Sequence, residues 1–339
     1  MKHYSCQYHP YQHPFPQPLL TRYGLWSVRQ GLILTLTDDL GNVGQGEIAP
    51  LAWFGSETWA QAWDYCQQLP PRLTATDLLT VPDHLPACQF GFGCAWATLT
   101  QNPKQTSLTL PICALLPTGS PALSAYAALW QQGYRTFKWK IGVDDPETER
   151  KLLQELTTAL PAGATLRLDA NGGLTYESAC EWLELCDRLS AKVRIEYLEQ
   201  PLPPDRFAAL LRLTQQFQTA LALDESVATL GQLQACYQQG WRDIFVIKPA
   251  ICGYPNQLRA FCRTHSLDAV FSSVFESEIG RQACLQLATE LSNPQRAIGF
   301  GVDHFLCHNS LPTFLVKHLI RSNVRFSTLH ERVKKPTDR

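Results

Sequence analysis

The sequence predicts an α/β chain: a closed parallel barrel preceded by a smaller α+β domain. Three observations carry this. From about Ser107, short apolar runs alternate with amphipathic helical stretches until eight strands and seven helical segments have passed. Five charged residues, Lys140, Asp169, Glu199, Asp224 and Lys248, recur at steps of 29, 30, 25 and 24 residues, each about one strand-plus-helix unit. Each stands at or near the end of an apolar run, just before a break, where successive parallel strands would lift charged side chains onto one rim.

The bulk properties agree. A chain of 339 residues suits one large domain plus a smaller one. With 45% hydrophobic and 17% charged residues it can bury a core and is too apolar for disorder. A formal net charge of −1 lacks the electrostatic footprint of a nucleic-acid binder. No run of about 20 apolar residues exists to span a membrane. The N-terminus, MKHYSCQYHPYQHPFPQP, is polar and Pro/His-rich, unlike the apolar core of an export signal. The 12 cysteines form no Cys-x-x-Cys pair and fall mostly within apolar segments, as Cys113, Cys180, Cys186 and Cys284 do. Buried free thiols in a reducing cytoplasm are the reading, not staples or a zinc site.

Residues 1 to 106 form the first unit. Leu32, Leu34 and Leu36 alternate with small or polar residues before a turn at Asp38–Asn42, which marks an antiparallel hairpin. A helix follows through Trp59, Trp63 and Cys66. Residues 107 to 305 form the barrel. LTLPICALL, RTFKWKIG, ATLRLDANG, VRIEYLEQPL, TALALDES, DIFVIKPAICG, DAVFSSVFESEIG and AIGFGVDHFL are its strands. Among the helices, DPETERKLLQELTTAL opens with Pro146 in a first turn, and Ala179, Trp182, Leu183 and Cys186 make an apolar stripe. The tail, 306 to 339, is expected to return to the first unit.

Chemistry concentrates at the strand ends. Lys138 and Lys140, two apart, face one side of their strand. Two adjacent ammonium groups disfavour charging both, which would free one as a base; an edge strand guarded by lysines is the alternative. Arg167, Asp169 and Asn171 share a face, as a turn closing a strand would also have them do. Glu199 and Asp224 are acids in apolar strands, costly unless paired or bound to a cation. Glu225, beside Asp224, should point away from it. Singly, each acid also suits a helix N-cap or an ion pair; together, three oxygen donors on consecutive strands suit a hard ion, Mg²⁺ before Zn²⁺. Lys248, ending IFVIK, is a catalytic group, a Schiff-base former, or a lysine reaching out from the rim. Gly41, Gly44 and Gly46 are read as part of a turn, not a nucleotide cradle. His3, His9 and His13 are read as a mobile terminus, not a metal site.

The ordered set Lys138-x-Lys140, Asp169-x-Asn171, Glu199, Asp224 and Lys248 resembles the enolase superfamily, in its paired-lysine, muconate-lactonizing-like branch. GQGEIAPL resembles that superfamily's capping domain, and RLDAN, LEQPL, ALDES, IKPAICG and SSVFES are similar to the strand-end motifs of its o-succinylbenzoate synthase family. The resemblance implies a (β/α)₇β TIM-like barrel, capped by an α+β domain from the N-terminal region and the C-terminal tail. It implies Mg²⁺ held by Asp169, Glu199 and Asp224 and bound to a small-molecule carboxylate substrate. Lys140 would remove the α-proton and return it to the departing hydroxide, and the metal would stabilise the enediolate between. Lys248 would supply positive charge over the ring and Lys138 would tune Lys140. Arg167, Ser272 and Ser273 would contact substrate, and a cap loop near PLAWFGSET would exclude water. The implied reaction converts 2-succinyl-6-hydroxy-2,4-cyclohexadiene-1-carboxylate to 2-succinylbenzoate and water, for menaquinone or phylloquinone synthesis. The same residues would serve a racemase of N-acylamino acids or a dipeptide epimerase, with Lys140 and Lys248 on opposite faces. A Schiff-base lyase using Lys248 and a barrel without catalysis are the readings from other classes.

Overall fold

The computed structural model describes residues 2–22, 24–100, 110–189 and 193–302. The N-terminal unit is an antiparallel sheet in the order β3-β2-β1-β4. Its strands are β1 (Tyr4–Thr21), β2 (Gly24–Asp38), β3 (Val43–Ile48) and the short β4 (Arg72–Leu73). Helices α1 (Trp59–Gln68), α2 (Ala75–Leu79) and α3 (Pro86–Thr100) complete it. The expected hairpin is β2–β3, its turn fixed by the Asp38 side chain accepting the Leu40 and Asn42 N–H groups at 2.9 and 2.8 Å. Only Gly41 belongs to that turn, at φ +81°. Gly44 and Gly46 lie in β3 for a different reason: a Cβ there would come within 2.2 Å of Ala95 O and 2.0 Å of Gly91 O on α3. Helix α1 starts on a capping box between Thr58 and Gln61, and its Trp59 and Trp63 rings stack at 5.7 Å.

The N-terminus departs from expectation. His9 and His13 lie on an 18-residue strand, β1, with His9 opposite Ile33 and His13 opposite Arg29 on β2, and His3 just ahead of it. Prolines hid this strand from a reading of the sequence. Among the described residues, only one edge of β1 is paired beyond Ser5, and a proline is tolerated where the missing N–H would face the other side. Pro10 and Pro14, four residues apart, share that side and also guard the edge.

The second unit is an eight-stranded parallel sheet in the order β11-β10-β9-β8-β7-β6-β5-β12. The strands are β5 (Ile112–Leu115), β6 (Thr136–Lys140), β7 (Thr165–Asp169), β8 (Arg194–Glu199), β9 (Leu221–Leu223), β10 (Ile244–Ile247), β11 (Ala269–Phe271) and β12 (Ile298–Gly301). A parallel bridge between Ser272 and Gly299 closes the ring. The crossovers are α4 (Ala122–Gln131), α5 (Pro146–Ala159), α6 (Tyr176–Leu189), α7 (Phe207–Gln216), α8 (Leu230–Gln238), the short α9 (Pro249–Cys252) with α10 (Pro255–His265), and α11 (Glu278–Leu291). This is a (β/α)₇β barrel with a capping domain. The boundary expected at 106/107 and the tail from 306 lie outside the described residues.

Strand alternation sorts the side chains. On β6, Phe137 and Trp139 are buried towards the helices, while Lys138 and Lys140 take the other face. Inside, Tyr197, Ala222, Ile244, Val246 and Val270 pack together. An ion chain, buried at Arg167 and Glu196 and part-exposed at Arg296 and Asp268, runs down the barrel from there. Arg167 Nε donates to Glu196 Oε2 (2.7 Å), Arg296 Nη1 to Glu196 Oε1 (2.7 Å), and Arg296 grips Asp268 through Nε and Nη2 (2.7 and 2.6 Å). Arg296 and Asp268 stand at the N-terminal ends of β12 and β11, the barrel's bottom face.

One carboxylate ties cap to barrel at several points. Glu47 of β3, buried, accepts from Ser277 N (2.9 Å), Ser277 Oγ (2.5 Å), Gly280 N (2.9 Å) and the Tyr11 hydroxyl. It thereby supplies the acceptor for the start of α11, whose own N-cap serine makes no capping bond. Glycine is required at 280, where a Cβ would meet Glu47 Oε2 at 2.3 Å. The described cysteines are free thiols, and all but Cys6 and Cys180 are buried. Among the described residues no helix is long and apolar enough to cross a membrane.

Candidate active site

The barrel brings the five spaced residues to one mouth. Lys140 ends β6, Asp169 ends β7 and Glu199 ends β8; Asp224 and Lys248 directly follow β9 and β10. The acids thus occupy three consecutive strands. Strands β6 and β10 are four steps apart in a ring of eight, so Lys140 and Lys248 face each other across the acid arc.

All three acids are buried, with Asp169 1% exposed, Glu199 0% and Asp224 2%. Lys138 Nζ lies 2.8 Å from both Asp169 Oδ2 and Glu199 Oε1, and Lys248 Nζ pairs with Asp224 Oδ1. Burial, with Asp169 and Asp224 adding to it against the pull of Lys138, pushes Glu199 up to about 8. Burial likewise raises Asp224 despite Lys248. At Asp169 burial is overcome by Lys138, Lys140 and an N–H bond from Asn171, and the carboxyl is held low.

Lys138 corrects the simplest reading of the lysine pair. Burial works against its charge, but Asp169, Glu199 and Asp224 hold it well above the ordinary lysine value. Opposite charges at hydrogen-bond distance outweigh one like charge two residues away. Lys138 is therefore a fixed ammonium clamping two acids, and Lys140 is left half-buried at the rim.

Three further expectations change. Arg167 does not reach the rim: it is 1% exposed, bonded to Glu196 and set over the Tyr197 ring at 4.9 Å. Two residues deeper on the strand than Asp169, its side chain joins the ion chain, not the mouth. The backbone N–H groups of Ser272 and Ser273 are also committed: the first continues the β10–β11 pairing to Ile247 O (2.9 Å), and the second closes the barrel onto Gly299 O of β12 (3.1 Å). The Ser273 hydroxyl donates to Glu276 (2.9 Å). Glu225, expected to point away, turns in the short 3₁₀ segment Glu225–Val227 and accepts from Asn171 Nδ2 at 3.1 Å.

The cap completes the mouth. Phe54 lies over Lys248, ring centroid 4.1 Å from Nζ. It belongs to the turn Ala52–Phe54, followed by Gly55 at φ +127°, where a Cβ would stand 3.0 Å from that of Ala228. Trp26 touches Phe15, Trp53 and Phe275 edge-on at 4.9, 5.6 and 5.4 Å, an apolar wall spanning both domains. Arg22, at the β1–β2 tip, donates to Asn171 O at 2.6 Å.

Two supporting residues went unread in the sequence. Glu149 of α5, buried, accepts the N–H groups of Gly142, Val143 and Asp144 at 2.7, 3.0 and 3.1 Å and so fixes the loop leaving Lys140. Gln200 occupies the corresponding place after Glu199. For Gln200 the sequence signal was a polar residue in an apolar strand exit; Glu149, in the first turn of α5, looks like any acid at a helix start.

Among the described residues, no three His, Cys, Asp or Glu side chains stand in a ready-made metal cage; the acids are drawn onto ammonium groups. The donor set nevertheless fits a hard dication. It is all oxygen and buried on adjacent strand ends, and Glu199 Oε2 is buried without a hydrogen-bond partner.

A metal-fitted acid arc between opposed lysines at the mouth of a capped (β/α)₇β barrel defines an enolase-type protein, and the chain belongs to the enolase superfamily. Residues 122–320 match the family described as Enolase C-terminal domain-like, and residues 3–99 that described as MenC, N-terminal domain. The chain is 46% identical over 301 residues to the o-succinylbenzoate synthase of Thermosynechococcus vestitus (strain BP-1), covering 88% of this chain and 92% of that one. The crystal structure of o-succinylbenzoate synthase from Thermosynechococcus elongatus BP-1, complexed with Mg in the active site, superposes with TM-score 0.85 at 43% identity, over 93% of this chain and 98% of that one. The L-Ala-D/L-Glu epimerase of Bacillus subtilis is 27% identical over 85% of this chain and 84% of its own.

Proposed function

We propose that this chain catalyses the Mg²⁺-dependent syn-dehydration of 2-succinyl-6-hydroxy-2,4-cyclohexadiene-1-carboxylate to 2-succinylbenzoate, a step of menaquinone or phylloquinone synthesis in the cytoplasm. The observation that carries the chemistry is the placement of Lys140 and Lys248 on opposite sides of an arc of three buried acids. Identity of 46% across both domains to a synthase, against 27% to an epimerase, carries the choice of substrate.

Asp169, Glu199 and Asp224 hold the Mg²⁺, which when bound supplies Lewis-acid stabilisation of charge on the substrate carboxylate. Lys140 Nζ takes the proton from the carbon bearing that carboxylate. It returns the proton to the hydroxyl leaving from the neighbouring carbon on the same face, so water departs and the ring becomes aromatic. One base serves both halves because both bonds break on its side. Lys138 keeps its ammonium on Asp169 and Glu199, holding two ligands in place. Lys248, fixed by Asp224 and Phe54, contributes positive charge to the ring from the opposite face. The Trp26–Trp53–Phe54–Phe275 wall excludes water. Arg167 acts from below, by anchoring β7 to β8 through Glu196.

Incubating the purified chain with the cyclohexadiene carboxylate tests this. With Mg²⁺, 2-succinylbenzoate should form; with a chelator it should not. Racemisation of N-succinylamino acids or epimerisation of dipeptides without any dehydration would transfer the assignment to those relatives' chemistry.

A further inference from the structure

Gln200 directly follows Glu199, is fully buried and holds a left-handed backbone at φ +37°. Every polar atom it has is bonded. Its backbone N–H donates to Ala222 O (2.7 Å), and its carbonyl accepts from Gly172 N (2.6 Å). Side-chain Oε1 accepts from Asp224 N (2.9 Å) and Ser226 N (3.2 Å). Nε2 donates to Leu202 O (2.9 Å) and Ser226 Oγ (2.7 Å). Two of these partners are backbone N–H groups, which only donate, and one is a carbonyl, which only accepts. The orientation of the amide is therefore fixed by its surroundings.

The partners lie on three strand exits. Gly172 stands in the loop after Asp169, Gln200 adjoins Glu199, and the Asp224 amide belongs to the third acid itself. No other side-chain type of this length both accepts twice and donates twice. Glutamate would set an acceptor against Leu202 O, and methionine would leave the Asp224 and Ser226 amides buried without partners.

From this geometry we propose that Gln200 is a positioning residue for the dication site: its side chain ties the exit of β9 to that of β8, on a main chain that also takes the Gly172 N–H after β7, so that Glu199 and Asp224 present their oxygens together with Asp169. Its left-handed backbone is the local strain such a tie sustains. The inference rests on the reading that these acids hold Mg²⁺.

Titrating Mg²⁺ into the purified full chain by calorimetry, beside thermal melts and circular dichroism in chelator, tests it. Gln200→Met should keep the fold and raise the Kd for Mg²⁺ about 10–100-fold, as loss of an outer partner of a metal ligand does. The apparent KM for Mg²⁺ should rise in parallel, while kcat at saturating Mg²⁺ changes less. Ser226→Ala, which removes one bond from the amide, should weaken Mg²⁺ binding roughly twofold to fivefold, and it decides the matter if Gln200→Met does not fold. A parent that fails to bind Mg²⁺ overturns the site and this role with it. A parent that binds, beside a folded Gln200→Met or Ser226→Ala with unchanged Kd, overturns the role of Gln200 alone.

Discussion

Two charge clusters occupy the same barrel, one buried at the mouth and one reaching part-exposed to the bottom face, and they are built on opposite terms. Towards the bottom, Arg167, Glu196, Arg296 and Asp268 balance two cations against two anions; both oxygens of each acid are taken, and among the described residues the unpartnered atom there is a donor, Arg167 Nη2. At the mouth, Asp169, Glu199, Asp224 and Glu225 crowd around lysines, and Glu199 Oε2 and Glu225 Oε2 are buried without partners. The lower cluster uses arginine, whose rigid fork suits two-point pairing; the upper uses lysine, a compact point charge that sits between two acids, as Lys138 does between Asp169 and Glu199. A network whose carboxylates are all paired by fixed cations holds a fold in one arrangement, whereas buried carboxylate oxygens left over mark where a cation can bind.

That contrast can be broken by substitution. Lys140→Ala should have the largest effect: dehydration falls by at least about 10²–10⁴-fold, the usual contribution of a general base, while circular dichroism and the Mg²⁺ titration are unchanged. Glu199→Gln should weaken Mg²⁺ binding by roughly tenfold or more. Its unfolding free energy in chelator should be unchanged or higher, because a buried charge is lost from a crowded set. Glu196→Gln should do the reverse, costing about 3–5 kcal/mol in denaturant unfolding with the Kd for Mg²⁺ unmoved. A Glu196→Gln variant that lost Mg²⁺ affinity instead would erase the distinction between the clusters.

The smallest effect is a pH dependence of the lower cluster. Burial alone would raise Asp268, but its bonds to Arg296 and Asn293 hold the carboxyl below its ordinary value of 3.8. A depressed acid adds stability that is present above its unfolded value and lost as pH falls through the folded one. Melting temperature should therefore drop below about pH 4, and Asp268→Asn should flatten that part of the profile.

The barrel was legible in the sequence because its strands are continuous apolar runs with a charged residue at the exit, a pattern that survives without knowledge of neighbours. Strand β1 was not, because its prolines are acceptable only at an edge, and edges are a property of the assembled sheet. The rim acids were legible since each is expensive alone and they recur at one spacing. Depth was hidden: Arg167 shares a face with Asp169 yet lies a layer lower, where Glu196 claims it. So was backbone bookkeeping, since nothing in SSVFES tells that the N–H groups of Ser272 and Ser273 are used in pairing to the strands on either side. Gln200 and Glu149 were invisible for a related reason, as all their side-chain partners but the Ser226 hydroxyl are main-chain atoms that carry no residue identity.

The Glu47 contact makes the two domains mutually dependent for folding. Deleting the cap would strip α11 of its acceptor, and deleting α11 would strand a carboxylate inside the cap's sheet. Neither half is a module that can be exchanged alone. A chimaera taking its cap from a distant relative must import the matching helix start along with it, and denaturation should proceed as one transition, not two.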